Sequence, residues 1–115
     1  MSLFITEHTP NFSTAGQITS ENISEIASLG YRTIIGNRPD LEGGSEQPMQ
    51  ADIEKAALAV GLHFAYLPVI SGQITRDQVL EMAALLEELP KPVLAYCRSG
   101  ARSANLFHLT QQLSG

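Results

Sequence analysis

Cys97 is the only cysteine in the 115-residue chain, and the segment Cys97-Arg98-Ser99-Gly100-Ala101-Arg102-Ser103 surrounds it with arginine, serine and glycine. The apolar run Pro92-Val93-Leu94-Ala95-Tyr96 precedes it, and a helical pattern follows. A thiol at the junction of a strand and a helix faces unpaired backbone N–H groups and the positive end of the helix dipole. Nearby arginines favour the thiolate further, and the thiolate is the reactive form of cysteine. The segment reads as an anion-binding loop with a nucleophile at its floor, which points to an enzyme. Without those neighbours, a lone cysteine after an apolar strand would read as an inert core residue.

The elements that must position this loop alternate. A short strand is expected within 12–17, then a helix capped by Thr19 or Ser20, carrying Ile23, Ile26, Ala27 and Leu29 and closed by Gly30. Thr33-Ile34-Ile35 reads as a buried strand, and a turn-rich segment, Asn37 to Pro48, follows it. Pro48 suits the first turn of a helix whose apolar face is Ile53, Ala56, Ala57 and Val60, with Gly61 as its stop. Leu62 to Val69 reads as the next strand, ending in a Ser71-Gly72 loop. Thr75-Arg76-Asp77-Gln78 has capping-box spacing ahead of an amphipathic helix that runs to Pro90. Pro92 to Tyr96 is the last strand, and Ser103 to about Leu113 the last helix, with Leu106, Phe107, Leu109 and Leu113 assigned to the core.

This alternation implies an α/β fold, a single domain over 1–115 with a mostly parallel four- to five-stranded sheet flanked by helices. A further C-terminal element is left open. Ligands of such sheets sit beyond the carboxyl ends of the strands. Cys97, Arg38 and the segment 70–73 all fall at such ends, so Arg38, Asp40 and Ser71 are candidate rim residues.

Composition excludes several classes. A formal net charge of −5 offers no basic surplus for nucleic acid. No apolar stretch reaches the length of a membrane span, and Met1-Ser2-Leu3-Phe4 lacks a signal pattern. Cytoplasm is the default, and a single cysteine fits a reducing compartment. His8, His63 and His108 are scattered without ligand spacing, so no metal is expected, and no cofactor. Gly43-Gly44 lacks the Lys-Ser/Thr that a nucleotide loop requires.

The strand-Cys-loop-Arg-Ser-helix unit, preceded by Thr33-Ile34-Ile35-Gly36-Asn37-Arg38-Pro39-Asp40, resembles the cysteine-dependent phosphatase superfamily, with its protein-tyrosine-phosphatase-like fold. Within it the chain is similar to the phosphatase-like domain family of beta-lactamase-hydrolase-like proteins. The segments that carry the resemblance are Thr14 to Gln17, the Asn37-Arg38-Pro39-Asp40 turn, Tyr66 to Val69 and the Cys97 loop. One departure is informative. The superfamily's phosphatases place five residues between cysteine and arginine, whereas four separate Cys97 from Arg102. That shorter loop resembles the active loop of rhodaneses, which move sulfane sulfur, and it tightens the ring of N–H donors around the sulfur. A second departure agrees with it: the loop Ile70-Ser71-Gly72-Gln73 holds no carboxyl group where a phosphatase places its general acid. Asp77 is explained as a first-turn helix residue.

The resemblance implies Cys97 as nucleophile and Arg102 as the oxyanion's holder, with Arg98, Ser99, Gly100, Ala101 and Ser103 as further anion-binding positions. The favoured reaction is transfer of sulfane sulfur from a small anionic donor, thiosulfate or a persulfide, through a Cys97 persulfide to a thiol acceptor. A phosphatase acting on phosphoesters is the alternative, with Asp40 as its substitute acid. A non-catalytic domain that binds anions or protein through the same rim is the third reading. The sequence leaves open whether the domain works alone or beside a sulfide-oxidising or metallo-hydrolase partner.

Overall fold

The computed structural model describes residues 3–113; the ends of the expected 1–115 domain lie outside the described residues. Its strands are β1 (Ile5–Thr9), β2 (Phe12–Ala15), β3 (Thr33–Gly36), β4 (His63–Tyr66) and β5 (Val93–Tyr96). The helices are α1 (Ile23–Ser28), α2 (Gln50–Ala59), α3 (Arg76–Glu88) and α4 (Ala101–Leu113). The sheet order is β1-β2-β5-β3-β4, and only the β1–β2 hairpin is antiparallel. β5, the strand that delivers Cys97, is therefore the central one. Its four residues pair with β2 on one side and β3 on the other, Tyr96 standing opposite both Ala15 and Gly36.

All four β5 residues are buried, as a central parallel strand covered on both faces must be. Alternation sends Val93 and Ala95 to one core, with Phe12, Ile35, Met82, Leu106 and Phe107. Leu94 and Tyr96 enter the other, with Ile18, Ile23, Ile26, Ile34 and Ile53. The first core lies under α3 and α4, the second under α1 and α2. Phe12 and Phe107 stack at 4.1 Å between centroids, tying β2 to α4. Leu106 and Phe107 are buried as expected, and Leu109 packs partly, but Leu113 is exposed.

The expected elements are present with shifted ends. The capping box at Thr75 forms in full: Thr75 Oγ1 accepts from the Gln78 N–H, and the Thr75 N–H donates to the Gln78 side chain. The first helix is split into a 3-10 turn at Ser20–Asn22 and α1. β4 stops at Tyr66 rather than at Val69, because Leu67 and Val69 turn their N–H groups onto the carbonyls of Gly36 and Asn37 beyond the ladder. β1 is an addition. Its residues alternate Ile-Thr-Glu-His-Thr with only partial burial, the signature of an edge strand. α4 starts at Ala101, two residues before the expected Ser103, which puts the second arginine inside the helix.

Candidate active site

β5 ends at Tyr96 and α4 begins at Ala101, so four residues make the whole turn. Such a short reversal is possible because Gly100 takes φ +93°, a left-handed conformation that costs glycine little. An added Cβ there would also press on Ala15 C and O at 3.4 Å. The Gly100 carbonyl accepts the Ala104 N–H and opens α4, leaving the preceding N–H groups of the first turn unpaired within the helix. Neighbouring strands fix the loop: the Cys97 N–H donates to the Ala15 carbonyl at 3.3 Å, and the Gln17 N–H to the Arg98 carbonyl at 3.2 Å.

The Cys97 side chain turns into this reversal. It is 1 % exposed, and its Sγ accepts the Gly100 N–H at 3.1 Å. Burial pushes the thiol's pKa up. The Ser103 backbone N–H, the Ser103 hydroxyl and the N–H groups of Ser99 and Gly100 more than offset that, and the net value lies below the ordinary 9.0. The Ser103 hydroxyl has one proton and two acceptors in reach, since it also donates to Asn37 Oδ1 at 2.8 Å. Asn37 is fully buried where three strands end. It donates its amide to the Leu67 carbonyl and its N–H to the Tyr96 carbonyl, and it accepts the Val69 N–H.

Arg102, in the first turn of α4, donates through Nη1 to the Val69 carbonyl at 3.0 Å, so the end of the 67–70 segment touches the site through backbone. Nη1 and Nη2 also hold the Glu42 carboxylate in a two-point bond of 2.9 and 3.0 Å. Arg38 binds the same carboxylate through Nε at 3.0 Å and reaches Gln17 through Nη1 at 3.2 Å. The hydrogen bond from Arg102, aided by Arg38, holds Glu42 ionised below the ordinary carboxylate range against a smaller opposing effect of burial. Among the described residues Glu42 is the one carboxylate bonded to either arginine.

The loop that presents Glu42 is itself tied down. Gln47, mostly buried, accepts the Gly43 N–H and donates to the Pro39 carbonyl. A Cβ on Gly43 would lie 2.6 Å from Arg38 Nη2, so a larger residue there would displace that guanidinium. Asp40 does not turn toward the cysteine's partners. Its carboxylate accepts the Gln50 N–H at 2.8 Å and caps α2, and its own N–H donates to Tyr66 Oη.

Of the residues singled out by sequence, Cys97, Gly100, Arg102 and Ser103 converge, and Arg38 joins them through Glu42. Arg98 and Ser99 are exposed residues of the turn that enter through backbone groups, and Ala101 is the exposed first residue of α4. Ser71 is exposed on the neighbouring loop. Sequence reading missed Glu42, Asn37 and Gln47. His8 and His108, remote in sequence, meet edge to face at 5.8 Å, but no three His, Cys, Asp or Glu side chains gather as metal ligands among the described residues. A cavity of about 470 Å³ beside the β2 end is lined by Gly16, Gln17, Glu21 and Glu25 among others, and neither Cys97 nor Arg102 borders it. No helix among the described residues is long and apolar enough to cross a membrane.

Known proteins resemble this chain in sequence and in fold. Residues 4–114 match the family profile "Beta-lactamase hydrolase-like protein, phosphatase-like domain". The chain belongs to this family. The beta-lactamase hydrolase-like protein of Agrobacterium fabrum is 31% identical over 101 residues, 88% of this chain but 23% of that protein. The chain thus spans about a quarter of the curated relatives it matches. A solved Neisseria meningitidis structure described as a candidate phosphatase is 33% identical, with a TM-score of 0.86 over 95% of this chain and 77% of that one. Tk-PTP in its active form is 18% identical, with a TM-score of 0.74 over 96% and 73% of the two chains, a likeness of fold. The family and the protein-tyrosine-phosphatase-like fold read from the sequence both hold.

Proposed function

We propose that this phosphatase-like domain moves sulfane sulfur through a persulfide on Cys97. The observation that carries the reading is the state of the acid-base groups around the sulfur. A phosphatase acting on alkyl esters needs a proton donor for its leaving group. Glu42 is held ionised by the Arg102 and Arg38 guanidiniums, and the Asp40 carboxylate is bonded to the Gln50 N–H at the start of α2, which argues against either as that donor. A leaving group that departs as a stable anion needs none.

In the proposed reaction the Cys97 thiolate attacks the outer sulfur of thiosulfate. A new S–S bond forms, the donor's S–S bond breaks, and sulfite departs with the electron pair. The resulting Cys97 persulfide anion lies among the N–H groups of Ser99, Gly100 and Ser103, donors fixed before the charge arrives. Arg102 holds the donor's oxyanion, and Arg98 stands at the mouth. A thiolate acceptor then takes the outer sulfur and restores the Cys97 thiolate.

A second reading has specific support. The Neisseria relative described as a candidate phosphatase is 33% identical to this chain. In that reading phosphoryl passes to Cys97 and then to water, and only phosphoesters with good leaving groups, such as aryl phosphates, turn over.

Intact mass of reduced protein after thiosulfate exposure separates the two. Sulfur transfer gives a gain of one sulfur atom, reversed by cyanide or thiol and absent from Cys97→Ser. No gain, with Cys97-dependent release of phosphate from an aryl phosphate in the same preparation, replaces this reading with phosphatase.

A further inference from the structure

The Arg102 guanidinium has five N–H donors, and the structure accounts for three of them. Nη1 gives one hydrogen to Glu42 Oε2 and one to the Val69 carbonyl, and Nη2 gives one to Glu42 Oε1. The carboxylate thus grips the two terminal nitrogens end-on. What remains is the adjacent edge, made of the Nε–H and the second Nη2 hydrogen. Nε is buried without a hydrogen-bond partner, in a side chain only 9% exposed. A charged N–H left buried and unpaired is costly, and a two-oxygen anion seated on that edge removes the cost.

We propose that Glu42 is a positioning residue of the anion site: pinned by Arg38, it clamps the far end of the Arg102 guanidinium and turns the Nε edge to the substrate's oxyanion. This rests on reading Arg102 as the anion holder. The opposite role, a built-in anion that occupies the substrate's place and must leave, fits the geometry less well. A blocking carboxylate would take the orphaned Nε edge, whereas Glu42 leaves Nε without a partner. A blocking segment would also be free to swing. This loop is fastened at Pro39, Asp40 and Gly43 by Gln47, Tyr66 and Gln50. Arg38 accordingly acts one step further out, holding the clamp rather than the substrate. The Arg102 and Arg38 guanidiniums hold the carboxyl below its ordinary 4.5, so the clamp is charged wherever Cys97 is reactive.

Inorganic sulfate, which cannot transfer sulfur, is the probe. The reading is the sulfate concentration that half-protects Cys97 from iodoacetamide, in the wild type, Glu42→Gln, Glu42→Asp and an Arg102→Ala control. Glu42→Gln is expected to raise that concentration about tenfold or more, the loss of a charge-assisted alignment. Its alkylation rate without sulfate should follow the wild-type pH curve, because Glu42 touches the arginine and not the sulfur. Glu42→Asp keeps the charge on a shorter stem and should fall between, which reads the same point should the glutamine variant fold poorly. Equal or tighter protection in both variants overturns the clamp in favour of a blocking role or none. Failure of sulfate to protect even the wild type overturns the anion-site reading itself, a result distinguishable from a clamp that fails alone.

Discussion

At Cys97 the decisive contest is between burial, which opposes charge, and a ring of donors, which favours it. The ring wins, and Ser103 supplies two of its members, a backbone N–H that alanine would keep and a hydroxyl that alanine would remove. Ser103→Ala should therefore raise the thiol's pKa, slowing alkylation by iodoacetamide at neutral pH by roughly the worth of one hydrogen bond to a charged group, about tenfold. At a pH above the variant's own titration both proteins are thiolates, and the difference should vanish. A rate deficit that persists there would make Ser103 a matter of access rather than of charge. Asn37 adds a condition. Its Oδ1 competes for the same hydroxyl proton and is fully buried, so sending that proton to the sulfur leaves a buried acceptor unpaired. The amide's other bond, to the Leu67 carbonyl, fixes which end faces Ser103.

At the level of elements, the loop from Arg38 to Gln47 illustrates which features a sequence reveals. The position of the cysteine loop was legible because its parts are neighbours: strand, cysteine, glycine and arginine lie within ten residues, and topology alone carries them to the sheet's carboxyl edge. Arg38 was legible as a rim residue for the same reason. Glu42 was not, since the guanidinium that gives it meaning lies 60 positions away, and an acid in a polar turn looks solvated. Its only local signal was its place four residues after Arg38. β1 escaped because a half-exposed edge strand shows weak alternation, and the early start of α4 escaped because Gly100, not a serine cap, opens it. Asp40 had two readings, and its bond to the Gln50 N–H supports the structural one. Asp40→Ala should destabilise the fold by about 1 kcal/mol, the usual worth of a helix cap, as measured by urea denaturation. The same variant should leave the pH dependence of Cys97 alkylation and of any turnover without a lost acid limb. Disappearance of such a limb would restore Asp40 as a proton donor.

For the molecule as a whole, adjacent residues at the end of the central strand impose opposite pH dependences on stability. Cys97 has a folded pKa below its ordinary 9.0, so the folded chain releases this proton before the unfolded chain does. Stability then rises as pH climbs through the folded value, and the contribution is complete above 9.0. Tyr96 is shifted the other way, far above its ordinary 10.0, first by burial and then by the charges of Asp40 and Tyr66. The folded chain keeps the phenol proton where the unfolded chain gives it up, so stability falls as pH rises past 10.0. Because β5 pairs on both sides and feeds both cores, neither group can relieve its shift by local fraying; each reports on the global transition. Urea midpoints from about pH 6 to about pH 11 test both residues together. The stability lost in Cys97→Ser should grow from neutral pH toward 9.0 and then stay constant. Tyr96→Phe, which cannot ionise, should resist the alkaline decline that the wild type shows above 10.0. A Cys97→Ser offset independent of pH would mean that the fold does not favour the thiolate, and the proposed role of Cys97 as nucleophile would lose its physical basis.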